Sequence, residues 1–256
     1  MELYRQETGS FGAPMVLFLH GSPLSSRMWQ PQLELMKDFH CVAPDFPGHG
    51  QSTAVKHFEM NALVDTLTDL IRSTSPTGRA HLVGLSFGGV VAQALMVNAP
   101  ELVDHVVLSG TSTRLSKLLI FIQALNTPIL RLLRPQQLAA IISSQFGIPV
   151  RFKEQLKDDF RQFSVDVMMQ EMWTYADIVM PTSTTSPTLV VAGEKETIFA
   201  KWAARALHRE IPGARGVLAA GMGHVWNLQA PELFTEMLRT WLQDQPLPDG
   251  LLPLDT

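Results

Sequence analysis

Six short apolar runs, each closed by glycine, serine or an acidic turn, constrain this chain more than any other feature. They are MVLFLHG, HCVAPDFPG, AHLVGLS, HVVLSGT, TLVVAGEKE and ARGVLAAGMGH. Most are apolar at successive rather than alternate positions, the pattern of strands covered on both faces. Segments with helical spacing lie between them. Trp29 to Phe39 carries Leu33, Leu35, Met36 and Phe39, and Met60 to Ile71 repeats Leu63, Leu67, Leu70 and Ile71. Phe87 to Asn98 is small and apolar, while Ala200 to Arg209 and Pro231 to Leu242 are amphipathic. Strand alternating with helix predicts an α/β fold on a doubly wound, mostly parallel sheet.

The spacing breaks once. Successive runs begin roughly 25 to 40 residues apart, enough for one crossover helix each, but HVVLSGT and TLVVAGEKE are separated by about twice that. The excess, near Arg114 to Thr185, holds helix-like pieces split by Pro128, Pro135, Pro149 and Pro181. It predicts a helical cap over the C-terminal edge of the sheet. The expected organisation is a first core segment over 1–112, a cap over 113–186, a second core segment over 187–245 and a tail over 246–256. Three prolines and a glycine make that tail, from Gln245 onward, a loosely held one.

The composition, 46% hydrophobic and 17% charged, suits a large core and is too poor in charge for a disordered chain. A net charge of −4 with no run of Lys or Arg argues against a nucleic-acid partner. The single cysteine, Cys41, has no internal partner and reads as a buried thiol. The start, MELYRQETGS, lacks the basic and apolar regions of a signal peptide. No segment reaches about 18 uncharged apolar residues. A soluble, cytoplasmic protein without stable membrane insertion is the expectation. No His or Cys pair has ligand spacing and no glycine-rich loop carries a lysine, so no metal and no cofactor are expected.

The chemistry centres on Gly84-Leu85-Ser86-Phe87-Gly88, a G-x-S-x-G pattern where a strand pattern gives way to a helix pattern. A tight turn there needs small flanking residues, lifts the Ser86 hydroxyl above the sheet and sets it at a helix N-terminus. A serine hydroxyl is a weak nucleophile and needs a base. His224, in GMGH between the last apolar run and the last helical segment, is the histidine placed to serve. His20 reads as structural and His49 as part of the PGHG turn. His40, His57, His81, His105 and His208 read as strand-edge or helix-surface residues. The base needs a carboxylate behind it. GEKE offers Glu194 and Glu196, and spacing alone does not choose between them. Two oxyanion donors are expected: the amide of Phe87, and that of Ser22 in His20-Gly21-Ser22-Pro23, since Pro23 has no N–H.

HGSPLSSRMW, DFPGHGQS, GLSFGG, GEKE and GMGH, in this order, resemble the α/β-hydrolase superfamily, in its compact, esterase-like serine-hydrolase branch with a helical cap after strand six. The resemblance runs from about Met15 to Leu242. It implies a catalytic set of Ser86, His224 and Glu196. The family usually carries aspartate where Glu196 stands, so the resemblance selects Glu196 over Glu194 and marks a departure by one methylene. HGSPLSSRMW is also similar to haloalkane dehalogenases, which like the related epoxide hydrolases use an aspartate nucleophile; Ser86 speaks against both. The implied activity is cleavage of a carboxylic ester of a small hydrophobic substrate through an acyl-enzyme. Lactone opening, C–C hydrolysis and aminopeptidase action use the same residues and stay open. An aminopeptidase needs acidic cap residues, but Glu154, Asp158 and Asp159 read more simply as a solvated helix face. A non-catalytic ligand receptor on the same fold is a further alternative. LLIFIQAL (Leu118 to Leu125) with Met168-Met169 admits a lid for lipid surfaces, though core or pocket lining is the simpler reading.

Overall fold

The computed structural model describes residues 1–254 except 126 and 163. All six apolar runs are strands in it. They are β2 (Met15–Leu19), β3 (His40–Pro44), β4 (Ala80–Leu85), β5 (Val103–Ser109), β6 (Thr188–Gly193) and β7 (Arg215–Ala219). These six pair in parallel, in the order β3-β2-β4-β5-β6-β7. Two further strands close the edges, β1 (Arg5–Thr8) antiparallel to β3 and β8 (Leu251–Pro253) antiparallel to β7. The result, among the described residues, is an eight-stranded, mostly parallel sheet.

The continuous apolar runs follow from burial on two faces. In β2, Met15, Leu17 and Leu19 join a core with Leu63, Leu67, Val91, Leu95 and Leu207. Val16 and Phe18 join the opposite core, with Trp29, Leu33, Phe234 and Leu238. Each fully buried side chain of this size contributes roughly 1.5–3 kcal/mol. The first face is covered by α2 (Met60–Thr74), α3 (Phe87–Asn98) and α9 (Ile198–Glu210), the second by α1 (Gln30–Leu35) and α11 (Pro231–Leu242). A short helix, α10 (Trp226–Gln229), precedes α11.

Counted along this chain, the helical insertion follows β5. It comprises α4 (Lys117–Ala124), α5 (Thr127–Leu132), α6 (Pro135–Phe146), α7 (Lys153–Gln162) and α8 (Val165–Thr174). Pro128 and Pro135 fall in the first turns of α5 and α6, where a missing N–H costs nothing. Ser116 and Ser164 cap α4 and α8 through their hydroxyls. On α4, Ile120 is buried while Leu118, Phe121 and Ile122 are exposed. Pocket lining is the right account of Ile120, Gln123 and Met168, while the outer face of α4 is exposed. Among the described residues, no helix is long and apolar enough to cross a membrane.

Three expectations are corrected. The C-terminal segment is not loosely held: Leu251, Leu252 and Pro253 pair with Ala219, Leu218 and Val217, and Leu254 is buried in the core. The residues beyond it, 255 and 256, lie outside the described ones. The helix expected from Trp29 to Phe39 is a 3₁₀ turn over Ser26–Trp29 followed by the six residues of α1. Two of the histidines read as peripheral, His40 and His81, are buried.

Candidate active site

The chain runs from β2 to β3 on one side and then to β4 on the other, so the sheet order reverses at β2 and β4. Ligands of wound sheets bind beyond the carboxyl ends of strands at such a switch point. Leu19 at the end of β2 is paired with Gly84 near the end of β4. The segments that leave these strands, His20-Gly21-Ser22 and Ser86, therefore emerge side by side. A Cβ on Gly21 would stand only 3.2 Å from the Cβ of Ser86.

Ser86 has φ 54° and ψ −117°, a conformation that non-glycine residues avoid. Such a residue stores roughly 1–3 kcal/mol of strain and persists only where its surroundings hold it. Here the Ser86 N–H donates to the Ser109 carbonyl at 2.9 Å. Its own carbonyl accepts from the Thr111 hydroxyl at 2.7 Å and the Gly89 amide at 3.0 Å. The flanking glycines are required by close approach. A Cβ on Gly88 would lie 2.0 Å from the Leu19 carbonyl oxygen, and one on Gly84 2.5 Å from the Gly88 carbonyl oxygen. Phe87 is the first residue of α3, so its amide is one that a helix leaves without an internal acceptor.

His20 holds the neighbouring loop. Its Nε2 accepts from the Phe46 amide at 2.9 Å, and its Nδ1 lies 3.1 Å from the Gly21 carbonyl, to which it donates. Burial pushes its pKa down to about 4, so it stays neutral in this role. Asp45 ties down the PGHG segment by accepting from the amides of Ser26 and Gln51, each at 2.7 Å.

His224 follows β7 in a loop pinned from both sides. Gly223 donates to Gln229 at 2.8 Å, and Gln229 donates to the Gly147 carbonyl after α6 at 2.9 Å. The two glutamates of GEKE divide the work. Glu194 accepts from the Gly221 amide at 2.7 Å and steadies the loop. Glu196, its side chain only 2% exposed, places Oε2 2.9 Å from Nδ1 of His224 and Oε1 3.2 Å from the Gly193 amide. The proton shared with a carboxylate belongs on Nδ1, which leaves Nε2 with its lone pair for a hydroxyl. The Phe146 ring lies against the imidazole with centroids 4.7 Å apart.

The five residues expected at the site line three hollows that share wall residues. Ser86, Glu196 and His224 wall a cavity of about 890 Å³, together with Leu115, Ile120, Met172 and Tyr175 of the insertion. A narrow cleft joins Ser22, Ser86 and His224. A third chamber, of about 210 Å³, is walled by Ser22 and Phe87 together with Glu171. Cys41 is buried away from this region, its thiol pushed up to about 12 by burial. Among the described residues, no three His, Cys, Asp or Glu side chains gather to hold a metal.

Two buried acids were not anticipated. Asp159 is 3% exposed and accepts from the Ser25 hydroxyl at 2.9 Å, whereas Glu154 and Asp158 do lie in ion pairs on a solvated face. Burial pushes Asp159 up to about 7. Glu171 is 1% exposed, and burial pushes it up to about 8. The available signal was periodicity: Val167, Glu171 and Tyr175 recur every four residues, which puts an acid on the apolar face of α8.

Comparison with known proteins agrees with this architecture. The chain is 29% identical over 253 residues to an AB hydrolase superfamily protein of Gibberella zeae, covering 93% of this chain and 83% of that one. It is 26% identical over 253 residues to the (E)-2-((N-methylformamido)methylene)succinate hydrolase of Acinetobacter baylyi, covering 92% of each. A thermophilic esterase from Thermogutta terrifontis, solved with malate bound, superposes with a TM-score of 0.79 at 25% identity, over 94% of this chain and 93% of that one. The model of the alpha/beta hydrolase family matches residues 16–237, and the chain belongs to that family.

Proposed function

We propose that the protein is a serine hydrolase that cleaves carboxylic esters of small hydrophobic molecules through an acyl-enzyme on Ser86. The Ser86 oxygen attacks the ester carbonyl while Nε2 of His224 takes its proton. Glu196 holds the imidazole and stabilises the imidazolium. The carbonyl oxygen, now negative, accepts from the amides of Ser22 and Phe87. The tetrahedral intermediate collapses, the alcohol leaves with the proton from His224, and the acyl group stays on Ser86. A water molecule that gives its proton to His224 then frees the acid and restores the hydroxyl. In this reading the segment 113–186 is the cap that shapes the substrate pocket, and nucleic acid is not a partner.

The observation that carries the reading is the contact between Glu196 and His224, 2.9 Å at Nδ1, on the wall of the same cavity as a serine held at φ 54°. Membership of a hydrolase family and likeness to an esterase support it. The test is a panel of p-nitrophenyl esters, lactones and amino-acid anilides offered to the wild type and to Ser86→Ala. The reading expects the esters to be cleaved fastest, and cleavage to vanish in the variant. Ester hydrolysis that survives Ser86→Ala removes Ser86 from the mechanism. Preferential cleavage of lactones or anilides moves the substrate class.

A further inference from the structure

Glu171 is a buried acid that the proposed chemistry leaves unused. It lies on α8, and neither of its carboxyl oxygens makes a hydrogen bond of ordinary geometry; the hydroxyl of Ser22, close enough to pull on the acid, makes none either. The Nδ1 atom of His49 stands 3.7 Å from Oε1, beyond hydrogen-bond distance, and faces the Pro47 carbonyl at 3.0 Å. Buried polar groups in native proteins are nearly always satisfied, and one that is not needs a reason. The reason offered by the surroundings is a ligand. Glu171 is on the wall of the 210 Å³ chamber, whose other walls include Phe87, Leu138, Ile142, Phe160 and Met168. An engineered apolar cavity of about 150 Å³ takes up benzene, so this one has room for a group somewhat larger.

The chamber fixes both the state of Glu171 and the part of the substrate that reaches it. No Lys, Arg or His is among the described residues that line it. The one imidazole within ion-pair reach, that of His49, is kept neutral by burial, so an ionised carboxylate would lack a cation, which proteins avoid by keeping the proton. Burial accordingly pushes the group up to about 8, against a smaller pull from the Ser22 hydroxyl. At neutral pH it presents an O–H. The leaving alcohol takes its proton from His224 and departs into the cavity that His224 walls. The chamber is walled instead by Ser22 and Phe87, on the oxyanion side, so it receives the acyl arm.

We infer that Glu171 is a specificity-determining residue for the acyl arm, selecting esters whose otherwise apolar acyl group carries a neutral oxygen acceptor such as a ketone, ether or amide carbonyl. The inference rests on the acyl-enzyme reading given above. An ester without the acceptor leaves the acid unsatisfied and is disfavoured by that amount, because a site built around a buried polar group discriminates against ligands that fail to pair it.

The test compares p-nitrophenyl hexanoate, its oxo analogues with the ketone moved along the chain, and the ω-amino analogue, on wild type, Glu171→Gln and Glu171→Leu. The expected wild-type result is a kcat/KM about five- to tenfold higher for the best oxo ester than for hexanoate, the value of one net hydrogen bond. Glu171→Gln keeps most of that ratio, since an amide also donates. Glu171→Leu brings it to about one by removing the donor. A ratio near one in the wild type, or unchanged in Glu171→Leu, overturns the inference. So does a preference for the ω-amino ester that is lost in Glu171→Gln, which would make the residue a carboxylate for a cation. If no ester is cleaved, the acyl-enzyme reading is what fails. Calorimetric titration of the same three chains with a six-carbon alcohol and its oxo analogues, which carry no ester, then reads the Glu171 preference on its own. The same ratios decide it.

Discussion

Oε2 of Glu196 lies 2.9 Å from Nδ1 of His224, while Glu194, two residues earlier, faces away to hold the Gly221 amide. The two carboxylates therefore carry different consequences. Glu196→Gln removes the charge behind the imidazole and admits the wrong tautomer. A loss of about 10² to 10⁴ is expected here. Glu194→Gln keeps an acceptor for Gly221 and should change kcat less than about tenfold. Steady-state ester hydrolysis by both variants checks this, and an equal loss in the two contradicts the assignment.

Ser86 has the φ of 54° that glycine adopts freely. Ser86→Ala should lower kcat by about 10⁴ to 10⁶, the range for loss of such a nucleophile. Ser86→Gly should be equally inactive yet more stable than Ser86→Ala, by about 1 kcal/mol, because it releases the backbone strain. Denaturant unfolding of the two variants measures the difference. Equal stabilities would mean that the turn is not strained.

The glycines near the site are not interchangeable. Gly88→Ala drives a Cβ against the Leu19 backbone, where neither partner has a flexible end to move. The expected cost exceeds about 4 kcal/mol, the range of severe core disruptions. Gly12→Ala, which meets nothing within 4 Å, should stay within about 0.5 kcal/mol of wild type. Thermal unfolding of the pair decides the point, and a well-folded Gly88→Ala would contradict the close packing of α3 on β2.

Most of this arrangement was legible in the chain. The six parallel strands are continuous hydrophobic runs because both faces of the sheet are covered, and such runs stand out in a sequence. The edge strands did not. RQET in β1 is polar because that strand is half exposed, and β8 is three residues held by pairing with β7 rather than by its own pattern. Gly84, Ser86 and His224 were readable because a tight turn and a loop leave glycine signatures. The division between Glu194 and Glu196 was not readable from spacing, since both side chains leave the same short turn; the family resemblance selected Glu196, and the fold shows which way each points. Asp159 and Glu171 were hidden for a related reason: an acid on a helix reads as solvated until a neighbouring element covers it.

Stability should peak between about pH 6 and 7. Burial lowers His20 to about 4, His49 to about 3 and His81 to about 4. Unfolded histidine titrates near about 6.5, so as pH falls below that value the unfolded chain binds protons that the folded one refuses, and stability is lost. Asp159 and Glu171 act in the opposite sense. Raised to about 7 and about 8, they keep protons that the unfolded chain has released, so their contribution fades as pH rises toward 8. Below pH 6 the three histidines outweigh the two acids; above about 6.5 the acids outweigh the histidines. Melting temperature measured from pH 5 to 9 checks the shape, and Glu171→Gln should flatten its alkaline side. Stability that keeps climbing from pH 6 to 8 would contradict the burial of these acids.

Covalent labelling by a fluorophosphonate, read by intact-protein mass and peptide mapping, tests the proposed chemistry most directly. The account predicts one adduct per chain, on Ser86, absent in Ser86→Ala and formed far more slowly in His224→Ala. A chain that stays unmodified, or an adduct on another residue that persists in Ser86→Ala, would contradict it and leave the fold as a binding module.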